Sequence, residues 1–169
     1  MVDFISHALW AFALFHDFSL AWAFVLFSLL PDLLWGAPLI IILIITGKLW
    51  QARKMKWRST QKQETPSGMP VNFIQNAYHA SHSWLVMTVF SILFLILYPP
   101  LALPFIGGVF LHLTLDLFLH KDSVAGQTPF YPLSNFKVKG FAHWSNKKIM
   151  IINYALLTIT YALILANHL

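Results

Sequence analysis

The sequence predicts an all-α, polytopic membrane protein that forms a single domain over residues 1–169. Hydrophobic residues make up 58% of the chain and charged residues only 10%, whereas a soluble domain is about 25% charged. Because a membrane-crossing helix needs roughly 20 apolar residues, the length of the chain leads us to expect about five to six hydrophobic helices. The chain contains no cysteine, which excludes disulfides, thiolate metal sites and a cysteine nucleophile.

The first two apolar runs, 4–15 and 18–30, are short and lie on either side of His16-Asp17. One long tilted helix is the alternative, but we favour a tight helical hairpin, because Asp17 or Ser19 can cap a new helix. The N-terminus lacks the positive charge and the small-residue cleavage site of a secretory signal peptide. We therefore expect the first run to be a helix of the folded protein.

Pro31-Asp32 is expected to end the second helix. The apolar run 36–46 that follows has about 11 residues, a length more typical of an interfacial or re-entrant segment than of a spanning helix. Segment 48–70 is basic and carries interleaved tryptophans. This pattern is typical of an aromatic-anchored cytoplasmic segment and gives little support to specific nucleic-acid binding.

Residues 71–98 are predicted to form one helix, and the proline-rich stretch 99–104 a turn. The next helix, which carries His112, contains Gly107-Gly108, small residues that favour close helix–helix approach. Residues 121–146 form a long loop beside the polar residues of that helix, a position in which loops are often functional.

A last helix, roughly 147–166, is long enough to cross the membrane. Ser145 or Asn146 can cap its N-terminus.

The lysines and arginines place segment 48–62 and loop 121–148 in the cytoplasm. The uncharged stretch 99–104 then lies outside. If 36–46 does not cross the membrane, the polar residues of the helices converge near the cytoplasmic interface. If it does cross, Asp32 is expected on the far side and the site would not assemble.

His112, Asp116 and His120 recur at intervals of four inside an apolar run. Four residues exceed one helical turn by only about 40°, so the three side chains share one stripe. Ionisable groups in such a helix are costly unless they are paired, hydrated or bound to metal. A buried His–Asp hydrogen-bonded pair is one explanation, and a metal or catalytic site is the one we favour.

Imidazole and carboxylate ligands suit zinc, manganese, iron or nickel. His112 and His120 are about 12 Å apart along a regular helix, which favours two ions bridged by Asp116. Asp32 and Asp116 are the candidate catalytic carboxylates, and His79, on the same face as His82, is a candidate for the layer around the ligands. Six residues qualify as ligands: His7, Asp32, His82, His112, Asp116 and His120.

The ordered set of motifs resembles the YdjM-like inner-membrane metal-dependent hydrolase family over nearly the whole chain. The motifs are His7, Leu30-Pro31-Asp32, Ser81-His82-Ser83, Gly108-x3-His112-x3-Asp116, Leu117-Phe-Leu-His120, Thr128-Pro-Phe-Tyr-Pro-Leu-Ser-Asn135 and Trp144-Ser145-Asn146. The resemblance implies a helical fold distantly similar to zinc-dependent phospholipase C, with His7, Asp32, His82, His112 and Asp116 as ligands.

Two positions differ from the family pattern. Ala77 and Tyr78 stand where many members have His-Arg, and Leu34 stands where a second aspartate follows Asp32.

These observations together predict a multi-pass protein of the bacterial inner membrane whose site faces the cytoplasm. We expect a metal-dependent hydrolase, phosphoesterase-like or phospholipase-like, with one or two divalent ions, zinc being the first choice. Metal-activated water would attack a phosphoester or lipid-like small molecule. Membrane lipids are the other expected partners, and we expect no binding to a specific nucleic acid. The alternatives are a metal-binding transport or carrier subunit and a non-catalytic membrane interaction protein.

Overall fold

The computed structural model describes residues 4–48, 71–121, 127–143 and 146–167. Within these ranges the protein is all-helical, with two isolated β-bridges and no strand. The six helices are α1 (Phe4–Phe15), α2 (Ala21–Ile45), α3 (Val71–Ser81), α4 (Trp84–Leu97), α5 (Pro99–Leu119) and α6 (Lys147–Asn167).

Three of the described helices, α2, α5 and α6, are long and apolar enough to cross a membrane. A fourth crossing is reached if α3 and α4 form one broken span. The all-helical, membrane-compatible architecture agrees with the sequence prediction, whereas five to six spans are not confirmed. The basic segment 48–70 lies, from residue 49 onward, outside the described residues.

Helices α1 and α2 form the predicted hairpin, with a tight turn between Phe15 and Ala21. The turn is closed by backbone hydrogen bonds from Phe18 N to Phe15 O and from Ala21 N to Phe18 O, both 3.0 Å. The predicted capping by Asp17 or Ser19 is wrong, because the N-cap of α2 is Leu20 and its side chain makes no capping bond. Stacking of Phe15 on Phe24, with ring centroids 4.0 Å apart, holds the two helices together here.

Helix α2 does not end at Pro31-Asp32 but continues through Pro31 and Pro38 to Ile45. A proline inside a helix removes one N–H donor and crowds one carbonyl, and neighbouring helices can compensate for both in a membrane-type bundle. Segment 36–46 is therefore mostly the second half of α2, and its prediction as a separate interfacial or re-entrant element is wrong. Asp32 lies within the continuous helix.

The end of α2 is set by Gly47, which adopts the left-handed conformation with φ 65°. Lys48 N donates to Leu43 O at 2.9 Å, and Gly47 N donates to Ile44 O at 3.1 Å. These two bonds make a Schellman motif, which satisfies the last helical carbonyls.

Residues 71–98 are two helices rather than the single predicted helix. Helices α3 and α4 meet at an angle of 63°, and the break falls at His82 and Ser83. Ser83 has extended backbone (φ −88°, ψ 123°), and its hydroxyl accepts a hydrogen bond from Val86 N. Ser83 thus caps α4 and turns the chain away from the axis of α3.

The predicted turn at 99–104 is the first part of α5. Pro99 and Pro100 stand in its first turn, where proline is well tolerated, and Pro104 lies inside the helix. Only Tyr98 separates α4 from α5. Gly108 makes the predicted close approach: a Cβ atom there would lie 2.5 Å from Phe24 O and 2.8 Å from Ser28 N. The α2–α5 contact therefore brings the two backbones together beside Ser28.

The described part of the long loop is ordered by isolated bridges between His120 and His143 and between Gln127 and Val138. Helix α6 then begins at Lys147, close to the predicted boundary, and Asn146 Oδ1 accepts a hydrogen bond from Lys148 N at 3.0 Å. The predicted Asn146 cap is therefore confirmed. Helix α6 packs on α1, where Asn153 bonds both Trp10 and Ser6 at 2.8 Å.

Candidate metal centre

Five of the six residues proposed as ligands converge on one point of the fold. They come from separate parts of the chain: His7 from α1, Asp32 from α2, His82 from the α3–α4 break, and His112 and Asp116 from α5. The side chains of four of them are 0–4% exposed, and that of Asp32 is 24% exposed. The cluster is therefore enclosed, with Asp32 at its more accessible edge.

Asp116 lies among the three histidines. Its Oδ1 is 3.2 Å from His7 Nε2, and its Oδ2 is 3.4 Å from both His82 Nε2 and His112 Nε2. The second carboxylate, Asp32, places Oδ1 3.6 Å from His82 Nε2. Each Nε2 atom thus faces the carboxylates.

Hydrogen bonds to backbone carbonyls fix the ring orientation of two of the histidines. His112 Nδ1 lies 2.7 Å from Ser28 O, and His82 Nδ1 lies 3.1 Å from Tyr78 O. Because a carbonyl only accepts, His112 Nδ1 carries the proton, and in the neutral ring its Nε2 is then a lone-pair donor. His82 Nδ1 also lies 2.9 Å from Ser81 Oγ, and its Nε2 is a lone-pair donor when Nδ1 donates to Tyr78 O. This arrangement is the usual one for histidines that bind metal through Nε2.

The two Nε2 atoms of His82 and His112 are 3.3 Å apart. In the neutral rings both would present a lone pair toward the other, next to two carboxylates. Such an arrangement is repulsive unless a cation, either a proton or a metal ion, lies between them.

The surroundings of His7 also favour a cation within the cluster. It is buried, and neither of its ring nitrogens makes a hydrogen bond, although Nε2 is within ion-pair distance of Asp116. Its ring stacks on His112 with centroids 4.0 Å apart. Buried polar groups in folded proteins almost always have a partner, so the donor set fits a metal ion that His7 would also contact.

Two overlapping ligand groups lie in the cluster: His7, Asp32 and His112, and His82, His112 and Asp116. His112 belongs to both, yet its Nδ1 is engaged with Ser28 and its Nε2 has a single lone pair. The spacings of 3.2–3.6 Å between ligand atoms resemble the edges of a tetrahedral zinc site, which are about 3.3 Å for bonds of 2.0–2.1 Å. Because one lone pair binds one ion, His112 can serve only one of the two groups at a time.

His120 and His79 lie beside the cluster and belong to neither ligand group. His120 Nδ1 donates to the backbone carbonyl of Asp116 at 3.0 Å and lies 3.7 Å from Asp116 Oδ1. His79 Nδ1 is 3.0 Å from Thr128 Oγ1, so it contacts the loop after α5. His120 and His79 therefore lie at the edge of the cluster, outside both ligand groups.

Three further residues at the site were not predicted from the sequence. Trp35 Nε1 donates to Asp32 Oδ1 at 3.3 Å, and the Tyr78 ring stacks on His82 with centroids 4.3 Å apart. Ser28 supplies the carbonyl that orients His112. The spacings i+3 from Asp32 and i−4 from His82 could have identified Trp35 and Tyr78, once α2 was continued through Pro31.

Comparison of the chain with protein-family models, with curated proteins and with solved structures yields no match. The resemblance to the YdjM-like family therefore stays a prediction.

Proposed function

We propose that the protein is a membrane-embedded, metal-dependent hydrolase. The observation that carries the proposal is the pair of His82 and His112 Nε2 atoms, which face each other at 3.3 Å beside two carboxylates. His112 is held in the tautomer that binds metal through Nε2, and His82 takes the same tautomer when its Nδ1 donates to Tyr78 O. A hydrophobic or purely structural helix contact has no need of this arrangement.

The charges of the cluster support a divalent ion. Three neutral imidazoles and the carboxylates of Asp32 and Asp116 carry a total of two negative charges, which a divalent cation would neutralise. Neutrality matters here because an uncompensated buried charge is very costly. The nitrogen and oxygen donors and their spacing favour zinc, with manganese, iron and nickel as alternatives.

Such an ion would lower the pKa of water and polarise a phosphoryl or carbonyl oxygen. His7, His82, His112 and Asp116 would hold it within the bundle. Asp32, at the accessible edge, is placed to accept a proton from the attacking water, while Trp35 fixes its Oδ1. The buried hydroxyl of Ser83 is engaged by the carbonyls of residues 129 and 131, which favours water as the nucleophile.

A phosphoester of a small molecule or lipid is the proposed substrate class, on the strength of the family resemblance. The proposed location is the inner membrane of a bacterium, with the site facing the cytoplasm. The apolar helices α2, α5 and α6 support a membrane setting, and the lysines of loop 121–148 support this orientation.

Hydrolysis is tested with detergent-purified, zinc-loaded protein on p-nitrophenyl phosphoesters and on phospholipids. Asp32→Asn should lower kcat by about 100-fold or more, as expected for loss of a general base. Asp17→Asn, a matched change at an aspartate whose side chain is 77% exposed, should leave kcat unchanged. Bound zinc without hydrolysis of any of these substrates would contradict the enzyme proposal and favour a metal carrier.

A further inference from the structure

The loop between α5 and α6 presents bulky apolar side chains outward. They belong to Phe130, Leu133, Phe136 and Phe141, and they are 53%, 82%, 59% and 82% exposed. We refer to these four residues as the loop face. Exposed apolar groups clustered on one loop mark a surface that is covered by something else.

The charged residues in the described part of the loop, 127–143, are both lysines. Lys137 and Lys139 lie between its aromatic residues and are exposed, and Lys147 and Lys148 follow at the start of α6. The sequence has no aspartate or glutamate after Asp122. An occupant of this face should therefore combine an apolar part with negative charge.

The loop face is continuous with the part of the protein that fits a membrane. Helix α5 leads into the loop and α6 leads out of it, and both are long and apolar enough to span a bilayer. The loop therefore lies where the chain leaves and re-enters the membrane. Phenylalanine and lysine side chains at that level suit the boundary between acyl chains and headgroups.

The described part of the loop is also fixed to the rest of the protein. Ser83 Oγ lies within hydrogen-bond distance of the carbonyls of Pro129 (3.0 Å) and Tyr131 (2.8 Å). Leu85 N donates to the same Pro129 carbonyl at 3.0 Å, and Phe141 stacks on Phe118 of α5. A docked loop would thus hold the α3–α4 break, which carries His82, at a set depth.

We propose that the loop face docks into the headgroup region of a leaflet that contains anionic lipid. Its apolar side chains enter the acyl boundary, and Lys137 and Lys139 contact the phosphates. Docking would hold the His/Asp cluster near the level at which lipid phosphoesters lie. That consequence rests on the proposed function, whereas the docking itself does not.

The absence of cysteine from the natural sequence permits a direct test of depth. Leu133→Cys and Phe141→Cys are spin-labelled in nanodiscs, and the ratio of collision with oxygen to collision with a nickel chelate is measured. Ile159→Cys, on the exposed apolar surface of α6, gives the lipid-facing reference, and Asn135→Cys, at an exposed polar loop residue, gives the polar reference. The measurement requires neither metal nor activity.

We expect the ratios at positions 133 and 141 to shift from the Asn135→Cys value toward the Ile159→Cys value. Ratios at positions 133 and 141 that equal the Asn135→Cys ratio and lie well below the Ile159→Cys ratio would show that the loop face meets water or a soluble partner and would overturn the proposal. Two independent label positions keep the test decisive if one variant folds poorly.

The lysines give a second readout. Native mass spectrometry of the protein with mixed anionic and zwitterionic lipids should show preferential retention of the anionic lipid. Lys137→Gln with Lys139→Gln should reduce that preference by roughly fivefold per lysine, since a lysine near an anionic surface contributes about that factor in affinity. An unchanged preference would contradict the proposed contact with phosphates.

Discussion

Helices α5 and α6 have the same length, 21 residues, and both are apolar enough to cross a membrane, yet they differ in how the protein uses them. In the most apolar window of α5, 44% of the residues are buried inside the protein, and in that of α6 only 6%. Helix α5 contacts α1, α2 and α4, whereas the described contacts of α6 are with α1.

The difference follows from the few residues that are not large and apolar. Helix α5 carries Gly107 and Gly108, which let its backbone approach α2, and His112 and Asp116, which need partners inside the protein. Helix α6 has two polar attachment points, both to α1: Asn153, which bonds Trp10 and Ser6, and Tyr161, whose hydroxyl donates to Leu9 O. Small and polar residues, rather than hydrophobicity, therefore determine which helix of this protein lies at its centre.

The largest expected effect comes from filling the α2–α5 contact. Gly108→Ala places a Cβ atom against the backbone of Phe24 and Ser28, and such overpacking costs about 1–3 kcal/mol. Gly36→Ala, where a Cβ atom would meet nothing within 4 Å, should instead stabilise α2 by about 0.5–1 kcal/mol. The free energy of unfolding is measured by titration with sodium dodecyl sulfate in mixed micelles. Equal effects of the two changes would refute the close-approach explanation.

The next effect concerns the break that positions His82. Ser83→Ala removes the α4 cap and the hydroxyl that meets the Pro129 and Tyr131 carbonyls, so we expect a loss of about 1–2 kcal/mol. Thr158→Ala is the control on α6, where the hydroxyl bonds only its own helix at Tyr154 and is exposed. This change should be close to neutral in the same titration. A loss of stability larger than that of Ser83→Ala would contradict the importance given to the Ser83 hydrogen bonds.

A smaller effect is expected for the attachment of α6. Asn153→Ala removes the hydrogen bonds to Trp10 and Ser6, and hydrogen bonds between membrane helices contribute about 0.6 kcal/mol each on average. The expected loss is therefore about 1 kcal/mol. Asn167→Ala, at an exposed asparagine of the same helix, should have almost no effect. Identical stabilities of the two variants would show that the hydrogen bonds of Asn153 contribute nothing to the attachment of α6.

The last prediction concerns zinc affinity at the edge of the metal centre, where we expect almost no change in the free energy of unfolding. Trp35→Phe keeps an aromatic ring and removes the donor to Asp32, so zinc affinity should fall by about tenfold, the lower end of the range for partners of metal ligands. Trp22→Phe, at an exposed tryptophan of the same helix, should leave the affinity unchanged. Competition with a fluorescent zinc indicator measures both dissociation constants, and equal values would exclude a role for this hydrogen bond.

Much of the fold follows from local sequence signals, and the errors have nonlocal causes. The bounds of α1 and α6 were predicted almost to the residue, because polar or charged residues flank predominantly apolar runs. The end placed at Pro31 was wrong because the packing of α2 against its neighbours outweighs the cost of an interior proline. The break at Ser83 depends on carbonyls 46 and 48 residues away, which no local pattern reveals.

The sequence argument for the site depended on how segment 36–46 is placed, and the structure shows a different arrangement of this segment. Asp32 was expected to reach the histidines only if 36–46 stayed out of the membrane. The structure instead continues α2 through this segment, and Asp32 meets His82 from the middle of the helix. The residue types and their four-residue spacing indicated the metal-binding chemistry. That His112 belongs to both ligand groups is seen only in the tertiary contacts.

Metal binding by the His/Asp cluster is tested most directly by the metal content of detergent-purified protein, measured by inductively coupled plasma mass spectrometry. The wild-type protein and the His16→Ala control, a histidine paired with Asp17 outside the cluster, should each hold about one divalent ion per chain. His112→Ala and Asp116→Ala should lose it while remaining folded by circular dichroism. Wild-type protein that stays metal-free after incubation with zinc, manganese, iron and nickel would contradict metal binding. It would show that a proton, rather than a metal ion, lies within the His–Asp cluster.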